Sequence, residues 1–446
     1  MKTWLINNEI LFWVAWIILP LIIEIIPAGV NFVLLIVKYF RKRCRKIVDP
    51  VLFPEITIII PVYNSESTLR KCLDSIHNSS YDNRLITVFL VDNGSTDDSF
   101  RVFEECQMEY SDLTMQWLVS NQGKSKALNK ALFNSRGKYI INVDSDGRFE
   151  KNAIRNIVRR FESSMKTNCL TGVILTEKSE IEETEGALLR HVRRLEFMEY
   201  CQAFLAGRNF SSEINGLYTL SGAFSAFRKS TILQTQMYNS DTICEDTQIT
   251  FQIKRQKKRV GLCEDAIFYV SPIDDMEKLY TQRQRWQVGE LEVFHMFYKD
   301  KMRMTNLFRD IDFRVILLDH TFAFPRLIWY FALLGLSMTN YSLKTVLTAL
   351  ILIYCLYVIS TFLYFLNVCM FLKDFREDRR YYVRKVPYVL LYPLYNLYTF
   401  LLRFMGIINS INRASSWRTF RFGEEWEIFK DIVRKDFHIR KEEKHE

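Results

Sequence analysis

At 446 residues the chain is long enough for about two or three domains, and its mean hydropathy of −0.05 conceals apolar residues gathered into blocks. Nine cysteines, at positions 44, 72, 106, 169, 201, 244, 263, 355 and 369, include no C-x-x-C pair and no His-containing spacing, which excludes a zinc module and reads as reduced thiols. The net charge of +9 suits an anionic leaflet or a phosphate-bearing ligand; without a basic stripe interleaved with aromatics it excludes nucleic acid as the partner.

The first block runs "WLINNEILFWVAWIILPLIIEIIPAGVNFVLLIVKYF" over 4–40, with Glu9 and Glu24 as the only charges before Lys38. It exceeds the roughly 20 residues that one membrane helix needs. One tilted span, or two packed segments split near Glu24 and Pro27, both fit. A cleaved signal peptide does not, because the apolar run is too long and only Lys2 supplies an N-terminal charge. Further apolar blocks lie at 314–339, 345–371 and 387–410. The expected organisation is therefore an N-terminal transmembrane segment at 1–40, a soluble domain at 50–305 that includes an interfacial helix at 277–300, a C-terminal transmembrane region at 314–410, and a basic tail at 411–446. Basic flanks stay in the cytoplasm. The run "RKRCRK" (Arg41 to Lys46), the loop "KDFREDRRYYVRK" and the tail all carry such charge, so the soluble domain is expected to be cytoplasmic in a multi-pass plasma-membrane protein. Three full spans after that domain would put the tail outside. One late block is then re-entrant, interfacial or doubled, and 387–410, broken by Pro387 and Pro393, is the candidate.

Within the soluble domain, "ITIIIP" (56–61) is a β-rich run ended by proline, and 66–77 places Leu69, Cys72, Leu73 and Ile76 on one helical face. A second strand at 85–92 leads into a helix at 97–107, whose start Asp97 and Asp98 favour. "TMQWLV" is a third strand, and "GKSKALNKALFN" a helix with Ala127, Leu128, Ala131 and Leu132 in one stripe. "YIINV" is a fourth strand, followed by the amphipathic "EKNAIRNIVRRF". Strands alternating with helices predict an α/β domain with a parallel sheet covered on both faces. Ligands bind such sheets at the carboxyl ends of the strands. Four polar clusters fall there: "PVYNSE", "VDNGSTDD", "SNQGKSK" and "VDSDG".

Loops that only turned the chain would not need this mixture of carboxylates, amides and a lysine. Asp144 and Asp146, two apart at a strand end, can project to one side of the sheet. Such hard oxygen ligands suit Mg²⁺ or Mn²⁺ with substrate phosphates completing the shell. Lys124 near the same edge can meet a phosphate as a point charge. A P-loop is absent, and "NVDSDG" lacks the later ligands of a calcium loop.

These clusters, with "TLSGAFSAFRKS" (219–230), "TICEDTQITFQI" (242–253) and "QRQRW" (282–286), resemble the family 2 glycosyltransferases, and among them the membrane-embedded processive branch of poly-N-acetylglucosamine, hyaluronan, chitin and cellulose synthases. The resemblance covers about residues 50–300 and is nearest the poly-N-acetylglucosamine subgroup. It implies a Rossmann-like GT-A domain flanked by transmembrane helices, a UDP-sugar donor, a Mg²⁺ or Mn²⁺ ion, a glycan acceptor and a lipid bilayer; related systems also use a small accessory membrane subunit. Carried onto matching positions, Asp92 would hold the uracil, with Tyr63, Asn64 and Glu66 lining the nucleoside pocket and Asn93 among the donor contacts. Asp144 would lie by the ribose and diphosphate, Asp146 would bind the metal, and Asp246 of Glu245–Asp246 would be the general base. Gln282, Arg285 and Trp286 would clamp the diphosphate and border the acceptor sugar. The third cluster departs from the alanine-rich version common in the family, and Asn93 replaces another residue of many relatives. Both positions leave the sugar open.

Plainer roles exist for each residue. Asp92 can begin an Asx-turn, Glu245–Asp246 can serve only the start of a helix, and Arg285 and Trp286 lie on an amphipathic helix able to rest on a membrane surface. The whole chain can also be a non-processive transferase acting on a lipid carrier, or an inactive scaffold or transport subunit.

Overall fold

The structure is a computed structural model that describes residues 21–44, 48–240, 242–299, 335, 338 and 342–412. The expected apolar segment before residue 21, most of the 314–339 block, the basic run after Cys44 and the tail beyond 412 lie outside the described residues.

An eight-stranded sheet has the order β3-β2-β1-β4-β7-β6-β8-β5. Its strands are β1 Ile56–Val62, β2 Ile86–Asp92, β3 Thr114–Val119, β4 Tyr139–Val143, β5 Gly147–Phe149, β6 Thr167–Thr176, β7 Phe224–Arg228 and β8 Arg259–Val270. The first four, read from sequence as strands, pair in parallel as expected. Of the rest, only β6 and β8 pair in parallel. β7 runs antiparallel to both β4 and β6, and β5 is antiparallel to β8, so the sheet is mixed. Only the first half is built from strand–helix–strand crossovers, which force parallel neighbours; β7 re-enters after a long excursion and meets β4 head to tail.

Alternation along β1 decides which side each residue serves. Ile56, Ile58 and Ile60 join one core, and Ile59 joins the core on the opposite face. Each fully buried isoleucine contributes about 1.5–3 kcal/mol. The first core is closed by Leu69, Cys72, Leu73 and Ile76, by Val102, Phe103 and Cys106, and by Ile154, Ile157 and Phe161. The second is closed by Ala127, Leu128, Ala131 and Leu132, the stripe read from sequence, with Ile249 and Ile253.

The helices are named here in chain order: α1 Ile26–Cys44, α2 Leu69–His77, α3 Ser99–Glu109, α4 Lys124–Asn134, α5 Ala153–Glu162, α6 Ala187–Tyr200, α7 Glu245–Arg255, α8 Met276–Tyr298, α9 Leu343–Phe371, α10 Arg376–Arg384 and α11 Tyr388–Asn412. A π turn at Leu21–Ile25 leads straight into α1, so the described helical path passes Glu24 and Pro27 without a split. α1 packs on α9, and Lys38 pairs with Glu213 at 2.8 Å, tying α1 to the sheet unit. Among the described residues one helix, Leu343–Asp374, is long and apolar enough to cross a membrane. α11 is continuous rather than broken. Pro387 precedes its first residue and Pro393 sits within it, where the ring removes one backbone donor.

Candidate active site

Strand register assembles the site. Val62 of β1 pairs with Asp92 of β2, and Asp92 with Val119 of β3, so three strands end level. β4 ends beside them, and its antiparallel pairing of Val143 with Phe224 brings the Ser221–Gly222–Ala223 turn against Asp144. The four polar clusters therefore share one edge.

Loop-to-loop hydrogen bonds fix that edge. The Asn64 backbone, at φ 48°, lies in the left-handed region that asparagine tolerates. Its Oδ1 accepts the Thr96 N–H at 2.8 Å, and its own N–H donates to Ser95 Oγ. The Glu66 N–H donates to Asp97 Oδ2 at 2.9 Å, leaving the Glu66 side chain exposed. Asp92 Oδ1 accepts the Ser95 N–H at 2.9 Å, which is the Asx-turn considered above; its half-buried carboxylate keeps acceptor capacity beyond that bond. Asn93 Oδ1 accepts the Gly123 N–H at 2.6 Å, joining the second and third clusters. Tyr63 is 51% exposed at the rim. The Ser65 and Ser145 hydroxyls, 2.7 Å apart, join the first cluster to the fourth.

The deepest part is a charge cluster. Lys124, at the start of α4, places Nζ 2.6 Å from Asp144 Oδ1 and 3.3 Å from Glu245 Oε1. Burial works against this ammonium, but Asp144 and Glu245 outweigh it and hold its pKa well above the ordinary value. Glu245 is buried, and burial pushes its carboxyl upward despite Lys124 beside it. Asp246 is half-buried; Oδ2 accepts the Gly222 N–H at 2.9 Å and Oδ1 the Thr247 N–H at 2.7 Å. Both acids occupy the first turn of α7, where the helix dipole favours negative charge. Asp146 is exposed, yet the protein packed around its carboxyl and the neighbouring Asp144 push its pKa up to about 6.

Lys124 thus stands as an internal counter-ion between Asp144 and Glu245, a role beyond the phosphate contact expected from sequence. Gly222, within "TLSGAFSAFRKS", has a part that the motif does not show. A Cβ there would stand 3.2 Å from Asp246 Oδ2 and 3.4 Å from Lys124 Nζ, so its bareness lets the two charges approach the turn. No sequence signal marks this approach except the glycine itself.

α8 carries the remaining predicted residues. Asp275 caps it by accepting the Lys278 N–H at 2.7 Å. Gln282 hydrogen-bonds the Tyr200 hydroxyl, Arg285 is exposed within electrostatic reach of Cys244, and Trp286 packs on the first core with Phe204 edge-on at 6.4 Å. α8 is buried on more than one side, between the Cys244 turn and α11, so it is more than a surface amphipath. Gly289 permits the approach: a Cβ there would meet Cys244 Sγ at 2.2 Å. Gly289→Ala should gain up to about 1 kcal/mol of helix propensity and lose about 1–3 kcal/mol to overpacking. Thermal melting should therefore show a lower Tm, and an unchanged or higher Tm would refute the close contact.

Known proteins resemble this chain in sequence and in fold. The Glycosyl transferase family 2 model matches residues 57–230. A poly-beta-1,6-N-acetyl-D-glucosamine synthase of Staphylococcus aureus (strain COL) is 21% identical over 238 residues, 53% of this chain and 55% of that protein. The synthase of the same name from Staphylococcus epidermidis matches to the same extent. The chain spans about half the length of these curated relatives (55%). A mannosyltransferase from Pyrobaculum calidifontis, solved with GDP-Man and Mn2+, shares the fold with a TM-score of 0.55 at 17% identity, covering 84% of this chain and 98% of its own. With its mixed sheet, the α/β unit is GT-A-like. Over residues 57–230, the stretch that holds the four polar clusters and Gly222, the chain is thus similar to the glycosyl transferase family 2 model.

Proposed function

We propose that the protein is an inverting glycosyltransferase that moves a hexose, N-acetylglucosamine or a close relative, from a UDP-sugar to a growing polysaccharide. The observation that carries this reading is the bridge from Asp144 through Lys124 to Glu245, with Asp246 alongside, at the carboxyl edge of the parallel strands. It joins a diphosphate-binding edge to a carboxylate able to take a proton.

Among the described residues no three His, Cys, Asp or Glu side chains stand close enough to hold a metal ion by themselves. The donor set still fits Mg²⁺ or Mn²⁺, which take one or two carboxylates and complete the shell with substrate phosphates and water. Asp144 and Asp146 would hold it; burial first, and then the neighbouring Asp144, raise the Asp146 pKa, and a bound cation would offset both. Bound there, such an ion would supply Lewis-acid neutralisation of the departing diphosphate.

The chain's own residues do the remainder. Asp92, Tyr63, Asn64, Glu66 and Asn93 would line the nucleoside end, and Arg285 and Gln282 would face the diphosphate. Asp246 would accept the proton of the attacking hydroxyl. A single displacement with no covalent enzyme intermediate inverts the anomeric centre. Trp286 offers an aromatic face to the acceptor sugar. The apolar helix Leu343–Asp374 supports a membrane setting, with the domain at 50–305 on the cytoplasmic side and apolar segments at 1–40 and 314–410.

The test is UDP release by purified full-length protein across a panel of UDP-sugars, with sizing of the product. Turnover of a UDP-hexosamine into long chains is expected, and addition of excess chelator should cut the rate by about a hundredfold or more. Single-sugar products would favour transfer to a lipid carrier. No release with every donor would favour an inactive subunit, and full activity in chelator would remove the ion.

A further inference from the structure

Arg283 lies between the signature residues Gln282 and Arg285. It is fully buried, the largest side chain so placed among the described residues. Its Nη2 donates to Glu199 Oε2 of α6 at 2.6 Å, and its guanidinium lies over the Trp286 ring, 4.4 Å from the centroid. Glu199 has further partners. The Tyr395 hydroxyl of α11 donates to the same Oε2 at 2.8 Å, and Arg403 Nη2 of α11 stands 3.4 Å from Oε1. One buried carboxylate therefore collects three donors from two helices, and one of those donors also supports the signature tryptophan.

We propose that Glu199 and Arg283 form a positioning link through which α11 sets the orientation of Trp286 and hence the grip on the acceptor sugar. The inference rests on the proposed transferase function for what Trp286 does. The reasoning is geometric. A guanidinium is planar and holds bidentate or stacked partners in fixed directions, so a shift of Glu199 must rotate or translate the plane that covers Trp286. Glu199 is in turn held by α11, which packs along α8 and against α9, the helix of membrane-spanning length. Displacement of the C-terminal helices would then reach the acceptor side of the site without touching the donor loops, which hang on β1 to β4. Nothing in the link contacts Asp92, Asp144 or Lys124.

The link also has room to respond. Arg283 Nε and Nη1 are buried without a hydrogen-bond partner, as is Gln282 Oε1. Unsatisfied buried donors are costly, and here they leave the guanidinium held on one edge alone.

The experiment uses full-length protein, N-acetylglucosamine oligomers as acceptor, and the UDP-sugar that the wild type turns over. Tyr395→Phe removes one hydroxyl and keeps the ring. It is expected to raise the acceptor KM about three- to tenfold while the UDP-sugar KM stays at the wild-type value. In a double-mutant cycle with Trp286→Phe, the two effects on acceptor KM should be non-additive. Glu199→Gln, which keeps an acceptor oxygen but loses the charge, should produce the same split more strongly. An unchanged acceptor KM in Tyr395→Phe, strict additivity with Trp286→Phe, or a parallel rise in both KM values would each overturn the link. A wild type that turns over no UDP-sugar would instead overturn the transferase reading, so the two failures are distinguishable.

Discussion

Asp246→Asn is expected to lower sugar transfer by about a hundredfold to ten-thousandfold while UDP-sugar affinity changes by less than about threefold, as read by titration calorimetry beside UDP-release kinetics. The two adjacent acids at the start of α7 differ in what they can do. Glu245 is 5% exposed and paired with Lys124, so its carboxylate is committed to the cluster. Asp246 is more open, and each of its oxygens accepts one backbone N–H, leaving lone pairs for an incoming hydroxyl. Those two N–H bonds also aim the carboxylate. Asparagine can keep the bond from Gly222 through its one carbonyl oxygen, but it presents an amide where Thr247 N–H donates. That mismatch costs about 1 kcal/mol of stability, far less than the lost proton acceptor costs in rate. A variant that folds, binds donor and does not transfer isolates the base. Full turnover would remove Asp246 from that role and shift attention to Glu245.

How much of this was legible beforehand depends on the range of the interaction. The first four strands were readable because each is a short β-branched or apolar run with turn residues at its end, and the helix stripe Ala127–Leu128–Ala131–Leu132 faces the core as its spacing implied. The second half of the sheet was not. β6 is buried along most of its length, so "CLTGVILT" shows no alternation, and no local pattern distinguishes parallel from antiparallel pairing. α2 begins at Leu69 rather than 66 because the Thr68 and Leu69 N–H groups both bond back to Ser65 O, closing a turn first. At the site, residue types at strand ends could be read, since edge position follows from strand order. Their partners could not. Lys124 meets Glu245 across 121 positions, so sequence offered it only a phosphate as partner, and Arg283 meets Glu199 across 84, so it looked like an ordinary charge on a helix. Gly222 and Gly289 matter only through what a side chain would strike, which no sequence pattern expresses.

Lys124→Met should be the most destabilising single change in the site, by about 3–5 kcal/mol, because it strands a buried carboxylate while preserving side-chain volume. In the wild type the ammonium sits between Asp144 and Glu245, with Asp246 also holding its charge in place. Its pKa lies above the ordinary lysine value in the folded state, so its contribution is fully present below about pH 10 and does not vary across neutral pH. The variant behaves differently. Burial already raises Glu245, and Lys124 is the group that opposes the shift. Without it the folded state binds a proton at Glu245 more tightly than the unfolded chain does. For an acid raised in the folded state, stability is retained at low pH and lost as pH rises through the folded pKa. The Tm deficit of Lys124→Met relative to wild type should therefore widen between about pH 5 and about pH 8. Mn²⁺ added without nucleotide should narrow it, because a divalent cation replaces the missing charge beside Asp144. Melting curves at both pH values, with and without Mn²⁺, read both effects. A deficit that is constant with pH and indifferent to Mn²⁺ would mean that Lys124 supports the fold through its hydrocarbon stem, and that the carboxylates are neutralised by some other group.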